Sequence, residues 1–263
     1  MAAPEPGAPR RRGAEPVRAY PVMHTVRALE RLAFQPLSAP ELALALQIHQ
    51  RTARRLLARL AAEDHVTATP GHRRRYHLTM RLAALGRQAV AHTRWLHSAA
   101  PWVATLAAQT GQPAGLWVPC YTDVVCVLAA HPGGPPPQPQ LGELAPAHAS
   151  APGRALLAHR TAWRHSLLAQ PLERHTERTL TDPRELAADL DQTRHRGYAT
   201  DHGEHDPQLH ALAAPVLLAD DPIAALSTTL NADDTIAADL DSLAANVTSI
   251  ATALSSALND TTR

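Results

Sequence analysis

Three stretches decide the reading of the chain: Leu37-Ser38-Ala39-Pro40-Glu41-Leu42-Ala43, then Gln50-Arg51-Thr52-Ala53-Arg54-Arg55-Leu56-Leu57-Ala58-Arg59-Leu60, then Val66-Thr67-Ala68-Thr69-Pro70-Gly71 returning through Arg73-Arg74-Arg75-Tyr76-His77-Leu78. Ser38 stands three residues before Glu41, a capping box that opens a helix through Leu42, Ala45 and Leu46. A break at Gln47-Ile48-His49 leads to a second helix predicted from Gln50 to Glu63. Ala53, Leu56, Leu57 and Leu60 form its buried stripe. Its outer surface carries Gln50, Arg51, Thr52, Arg54, Arg55 and Arg59. A capped helix, a tight turn and an arginine-rich helix form a helix-turn-helix pattern. The alternating segments on either side of Pro70-Gly71 add a hairpin with a basic tip, the wing of a winged helix. Such a unit suits DNA, because arginine donates bidentately to guanine in the major groove. Arg73, Arg74 and Arg75 suit the backbone or the minor groove. Gln50 and Thr52 suit phosphate or base contacts. The competing reading is a structural helical subdomain with a solvated basic face.

Upstream, Val26, Leu29, Leu32 and Ala33 have helical spacing from about Val22 to Gln35-Pro36. Residues 1–19 lack periodicity and are expected to form a disordered arm. The first domain is therefore set at 20–78. Thr79 to Ser98 reads as one linker helix, with Leu82, Leu85, Ala89, His92 and Leu96 on a face. It would be about 30 Å long, a spacer or dimer-pairing element.

Residues 99–263 form the second expected domain. A helix is predicted near Pro101–Gln109, then strands at Ala114–Val118 and Val124–Ala130, then a solvated loop from His131 to Pro137. Helices follow near 153–158 and 162–170, and from Asp182-Pro183 to His195. A strand starts at Gly197-Tyr198-Ala199, a hairpin pairs 212–218 with 223–230, and a helix closes the chain over 236–258. One sheet flanked by helices is an α/β or α+β sensor-like architecture.

The formal net charge of +1 hides a division. Through Arg94 there are 16 arginines against 6 acids, and from Trp95 onward 9 against 18. The halves carry +10 and −9. No stretch approaches the roughly 20 apolar residues of a membrane helix, and no apolar run follows Arg10-Arg11-Arg12 as in a secretory signal. A cytoplasmic protein is expected. Cys120 and Cys126, the only cysteines, would share a side of one regular strand as small core residues, with a redox pair as the other reading. No nucleophile elbow, phosphate-binding loop or dinucleotide fingerprint is present, so no enzyme and no cofactor are expected.

Taken together, these residues resemble the IclR family of bacterial transcription regulators. The likeness runs from Val22 to Leu258. Besides the helix-turn-helix it rests on Pro146-Ala147-His148-Ala149-Ser150-Ala151-Pro152-Gly153-Arg154-Ala155-Leu156-Leu157, on Arg194-His195-Arg196-Gly197-Tyr198-Ala199-Thr200-Asp201, and on Ala211-Leu212-Ala213-Ala214-Pro215-Val216. The resemblance implies an α+β protein with an N-terminal winged helix-turn-helix, a linker helix and a C-terminal GAF-like effector-binding domain. It implies dimers or dimers of dimers on palindromic double-stranded operators, and a small organic effector, often a carboxylate, that modulates DNA binding.

Carried over by position, the effector site comprises the turn Ala151-Pro152-Gly153, with Asp201, Leu209, Ala211, Ser227 and Thr229. A helix start attracts anions through its free N–H groups, but Pro152 lacks one. Ser227 and Thr229, two apart on a strand, share a face. For Asp201, Ser227 and Thr229, ordinary turn and strand roles are the competing reading. Two other functions stay open: a ligand-independent DNA-binding regulator with a degenerate pocket, and a metal-dependent regulator using the Asp201-His202-Gly203-Glu204-His205 loop.

Overall fold

Ser38 and Glu41 cap each other. Glu41 Oε2 accepts the Ser38 N–H at 2.7 Å and Ser38 Oγ accepts the Glu41 N–H at 3.5 Å. In the computed structural model, which describes residues 21–69, 74–133, 141–233 and 239–262, this cap opens α2 (Ala39–Ala45). Before it lies α1 (Pro21–Phe34), and after it come α3 (Gln50–Ala62), β1 (Val66–Ala68) and β2 (Tyr76–Leu78). Gln47, at φ +52°, makes the turn between α2 and α3. His49 Nδ1 accepts the Arg51 N–H at the start of α3. The two strands pair antiparallel, Val66 opposite Leu78 and Ala68 opposite Tyr76. Leu37 and Tyr76 exchange main-chain hydrogen bonds of 3.0 and 2.8 Å, fastening the hairpin to the approach to α2. Ala28, Leu32, Leu37, Leu42, Leu57, Leu60 and Val66 form the core. The expected arm, 1–19, the wing residue Arg73 and loop residues 134–137 lie outside the described residues.

The chain divides into two units between Ala91 and His92. One predicted linker helix is in fact interrupted. α4 (Met80–His92) ends before Thr93, and α5 (Arg94–Thr110) begins there and continues past Pro101. Helical periodicity bridged Thr93 because neither Gly nor Pro marks the break. Pro101 is an interior residue of α5 and not the expected helix start. It forgoes a main-chain bond on an exposed side of the helix.

The second unit is built on a six-stranded antiparallel sheet in the order β5-β4-β3-β8-β7-β6. The strands are β3 (Ala114–Cys120), β4 (Asp123–Ala130), β5 (Leu144–Pro146), β6 (Ala199–His202), β7 (Leu209–Leu218) and β8 (Asp221–Asn231). The helices are α6 (Ala151–Leu157), α7 (Thr161–Leu168), α8 (Pro183–Arg196) and α9 (Leu240–Thr262). Strand alternation separates two apolar layers. Leu116, Leu212, Ala214, Leu226 and Leu230 pack with α5 and α9. Trp117, Ala213 and Ala225 pack with Ala151, Ala155 and Leu156 of α6. The second unit is thus α+β. Gly197, at φ +85°, is the left-handed cap of α8, so the strand that follows begins two residues later than its predicted start.

The cysteines do not share a strand. Tyr121, at φ +58°, turns the chain, leaving Cys120 at the end of β3 and Cys126 inside β4. The six-residue spacing therefore spans a hairpin. Neither cysteine is in a disulfide. Burial pushes the Cys126 thiol up to about 12, with the charge of Glu143 adding to it.

Candidate functional site

On α3, the buried residues Ala53, Leu57 and Leu60 mark the inner side. At 100° per residue, Arg51 and Arg55 fall opposite them, Arg59 lies between that side and one flank, and Arg54 sits on the other flank. Gln50, Arg51, Arg54, Arg55 and Arg59 are exposed, and Thr52 is half-buried. Ser38, Glu41, Arg54, Arg74, Arg75 and Tyr76 line an open groove of about 720 Å³, so α3 and the base of the wing share one basic depression. Arg75 Nη2 is tied to Glu41 Oε1 at 2.6 Å. The Arg74 guanidinium lies 5.4 Å from the Tyr76 ring centroid. Hydrogen bonds from Ser38, then Arg75, hold the Glu41 carboxyl below its ordinary range.

In the second unit, a half-open pocket of about 40 Å³ lies on the α6 side of the sheet. Six of the positions carried over from the family resemblance meet there: Pro152, Asp201, Leu209, Ala211, Ser227 and Thr229. Ala151 and Gly153 are fully buried beside it and do not reach its wall. Ser150 Oγ accepts the Gly153 N–H at 3.3 Å and donates to the Pro146 carbonyl at 2.8 Å. The remaining lining comes from Trp117, Glu143, Ala145, Ser150 and His205.

Sequence reasoning missed Trp117 because its place depends on pairing between distant strands. The register sets Trp117 opposite Ala225, and its Nε1–H donates to Ser227 Oγ at 2.8 Å. Glu143 and Ala145 arrive with β5, a three-residue strand too short to show a period. His205 was visible only as a metal candidate.

The 201–205 loop is held from several directions. Asp201 Oδ1 accepts the N–H groups of Gly203 (3.1 Å) and Glu204 (2.8 Å). Buried Arg154 meets Glu204 at 3.0 Å and Asp189 at 3.4 Å, and donates to the Thr200 carbonyl. Thr176 and Thr179 donate to the carbonyls of Gly203 and Glu204, each at 2.7 Å. His202 packs edge-on to His210, and His205 edge-on to His175. The carboxylates of the loop are therefore engaged by N–H groups and Arg154. Among the described residues no group of three His, Cys, Asp or Glu is arranged to hold a metal ion.

Burial pushes the Asp201 carboxyl up to about 8, and the neighbouring Glu204 adds to the shift. Between about 3.8, its ordinary value, and about 8, native Asp201 retains a proton that the unfolded chain releases. This group's stabilisation is complete below the lower value and is lost as pH rises to the upper one. Asp201→Asn is expected to flatten the decline of stability between pH 5 and pH 8 relative to the parent, read from denaturation midpoints. Parallel curves would contradict the assignment.

A winged-helix head, together with a separate α+β unit bearing a small half-open pocket, defines the architecture of a two-domain transcription regulator. The family model for the bacterial transcriptional regulator IclR C-terminal region matches residues 87–256. The chain belongs to the IclR family. It is 45% identical over 85 residues to the HTH-type transcriptional regulator BhcR of Paracoccus denitrificans, a stretch covering 31% of this chain and 30% of that protein. An IclR transcriptional regulator from Alicyclobacillus acidocaldarius has a TM-score of 0.75 at 27% identity, over 92% of this chain and 99% of that one. An IclR homolog from Microbacterium hydrocarbonoxydans, complexed with 4-hydroxybenzoate, has a TM-score of 0.70 at 22% identity, over 91% and 99% of the two chains. Among the described residues no helix is long and apolar enough to cross a membrane.

Proposed function

We propose that the chain is a cytoplasmic, non-enzymatic regulator that binds a palindromic double-stranded operator as a homodimer or dimer of dimers, under control of a small organic effector. Gln50, Arg51, Thr52, Arg54, Arg55 and Arg59 engage the major groove, and Arg73, Arg74 and Arg75 engage the DNA beside it. The observation that carries this reading is the basic face of α3, set opposite its buried stripe and continuous with the arginines at the base of the wing. Exposed Met80, Leu85 and Val90 on α4 support pairing with a second copy.

The cavity beside Asp201, Ser227 and Thr229 supports effector binding there, and the 4-hydroxybenzoate complex of a structural relative supports an organic effector. The ligand acts only by binding one arrangement of the DNA-binding heads better than another. DNA binding in the absence of any ligand sensitivity would instead favour a degenerate pocket.

Arg54→Ala and Arg55→Ala test the DNA face. Each removes an exposed side chain, so folding is expected to be unaffected. Each is expected to weaken operator binding by about 1–3 kcal/mol, and the pair by on the order of 100-fold. Binding of the double variant at parental affinity, measured by fluorescence anisotropy, would refute the assignment.

A further inference from the structure

The cavity has a charge character opposite to that of a carboxylate receptor. Two of its lining side chains, Glu143 and Asp201, are carboxyls, and none is an arginine. The guanidinium of Arg154 is engaged by Glu204, Asp189 and the Thr200 carbonyl. The turn at the start of α6 offers an anion little: Pro152 has no N–H, and the Gly153 N–H is bonded to Ser150 Oγ. Trp117 directs its N–H to Ser227, leaving its ring as cavity wall. His205 also lines the pocket, and burial favours its neutral form.

We infer that this cavity, taken as the effector site proposed above, selects a small protonated amine over a carboxylate, its ammonium head against Glu143 and Asp201 and its apolar body against Trp117 and Leu209. The inference rests on that effector-site reading. About 40 Å³ accommodates roughly three water-sized groups, room for the ammonium head, and the apolar body extends through the open side of the pocket. Size does not separate an ammonium from a carboxylate, so charge makes the choice. Asp201 Oδ1 already accepts two main-chain N–H groups, so a cation adds to that set, and the ring of Trp117 adds attraction for it. When the amine binds, Asp201 releases its proton to solvent, and the ammonium keeps all of its own protons. The charge balance is one ligand cation in and one proton out.

The test uses the full chain and matched probes at pH 7: n-butylamine, butanol and butyrate, then benzylamine, benzyl alcohol and benzoate. Binding is followed by calorimetry in two buffers of different ionisation enthalpy. The amines are expected to bind at least about tenfold more tightly than the alcohols and carboxylates, a difference of about 1.4 kcal/mol, with proton release. Glu143→Gln and Asp201→Asn, made singly, are each expected to reduce that preference. Tighter binding of the carboxylates overturns the inference while leaving the effector site in place. Equal binding of amine and alcohol overturns it too. If no probe binds, the inference and the effector reading both fail, whereas DNA binding by the basic face is judged separately by the Arg54 and Arg55 variants.

Discussion

Arg154→Met is expected to destabilise the second unit by about 3–5 kcal/mol, the range for removing one partner of a buried ion pair. Arg154 is only 1% exposed, and its guanidinium meets Glu204, Asp189 and the Thr200 carbonyl. Methionine fills much of the same volume, so the loss is chiefly electrostatic. It leaves Glu204 partly buried beside Asp201 with no cation to offset either. Neutralising the orphaned charge with Glu204→Gln is expected to recover part of the loss in the double variant. Thermal unfolding of the four proteins forms a closed cycle. Additive effects would show that Arg154 acts by packing alone, contrary to this account.

Gly153→Ala is expected to cost about 3 kcal/mol or more. A Cβ at position 153 would lie 2.3 Å from the Ala147 Cα, 2.4 Å from its carbonyl oxygen and 2.7 Å from its carbonyl carbon. All three atoms are main chain, so no rotamer change relieves the overlap. The start of α6 would have to lift from the 146–149 segment, moving Pro152 and Ser150 in the cavity wall. Ala147→Gly removes only a side chain and is therefore expected to give no rescue. A parental denaturation midpoint for Gly153→Ala would mean that this close approach is not present in solution.

Local signals made the head legible. Ser38 and Glu41 form their cap from residues three apart, the spacing of α3 separates its arginines from its core, and the two alternating segments pair as β1 and β2. Each depends on a few neighbouring residues. The pocket positions Ser227 and Thr229 came from the family resemblance, and strand alternation by itself said only that the two share a face. The pocket was not legible where registry between distant strands decides, as for Trp117 against β8. The linker region went wrong for a related reason. Thr93 interrupts the helix without a residue that forbids helical geometry, and Pro101 is tolerated inside one. Tyr121 likewise turns a hairpin without glycine, which placed Cys120 and Cys126 on separate strands. Arg154 stood inside a quoted motif, but its burial against Glu204 and Asp189 needed the fold.

The charge division of +10 and −9 falls at Arg94–Trp95, within a few residues of the boundary between the two units. Phosphate attraction accounts for the positive half. The negative half is expected to be repelled by DNA phosphates.

The most direct test of the account is the salt dependence of binding to the DNA upstream of the chain's own gene. Phosphate contacts release condensed counterions, so log affinity is expected to fall linearly with log salt concentration. The slope approaches about −0.9 for each contact, and the Arg54→Ala/Arg55→Ala variant is expected to show a shallower one. A single affinity across salt concentrations, the same for parent and double variant, would contradict the account.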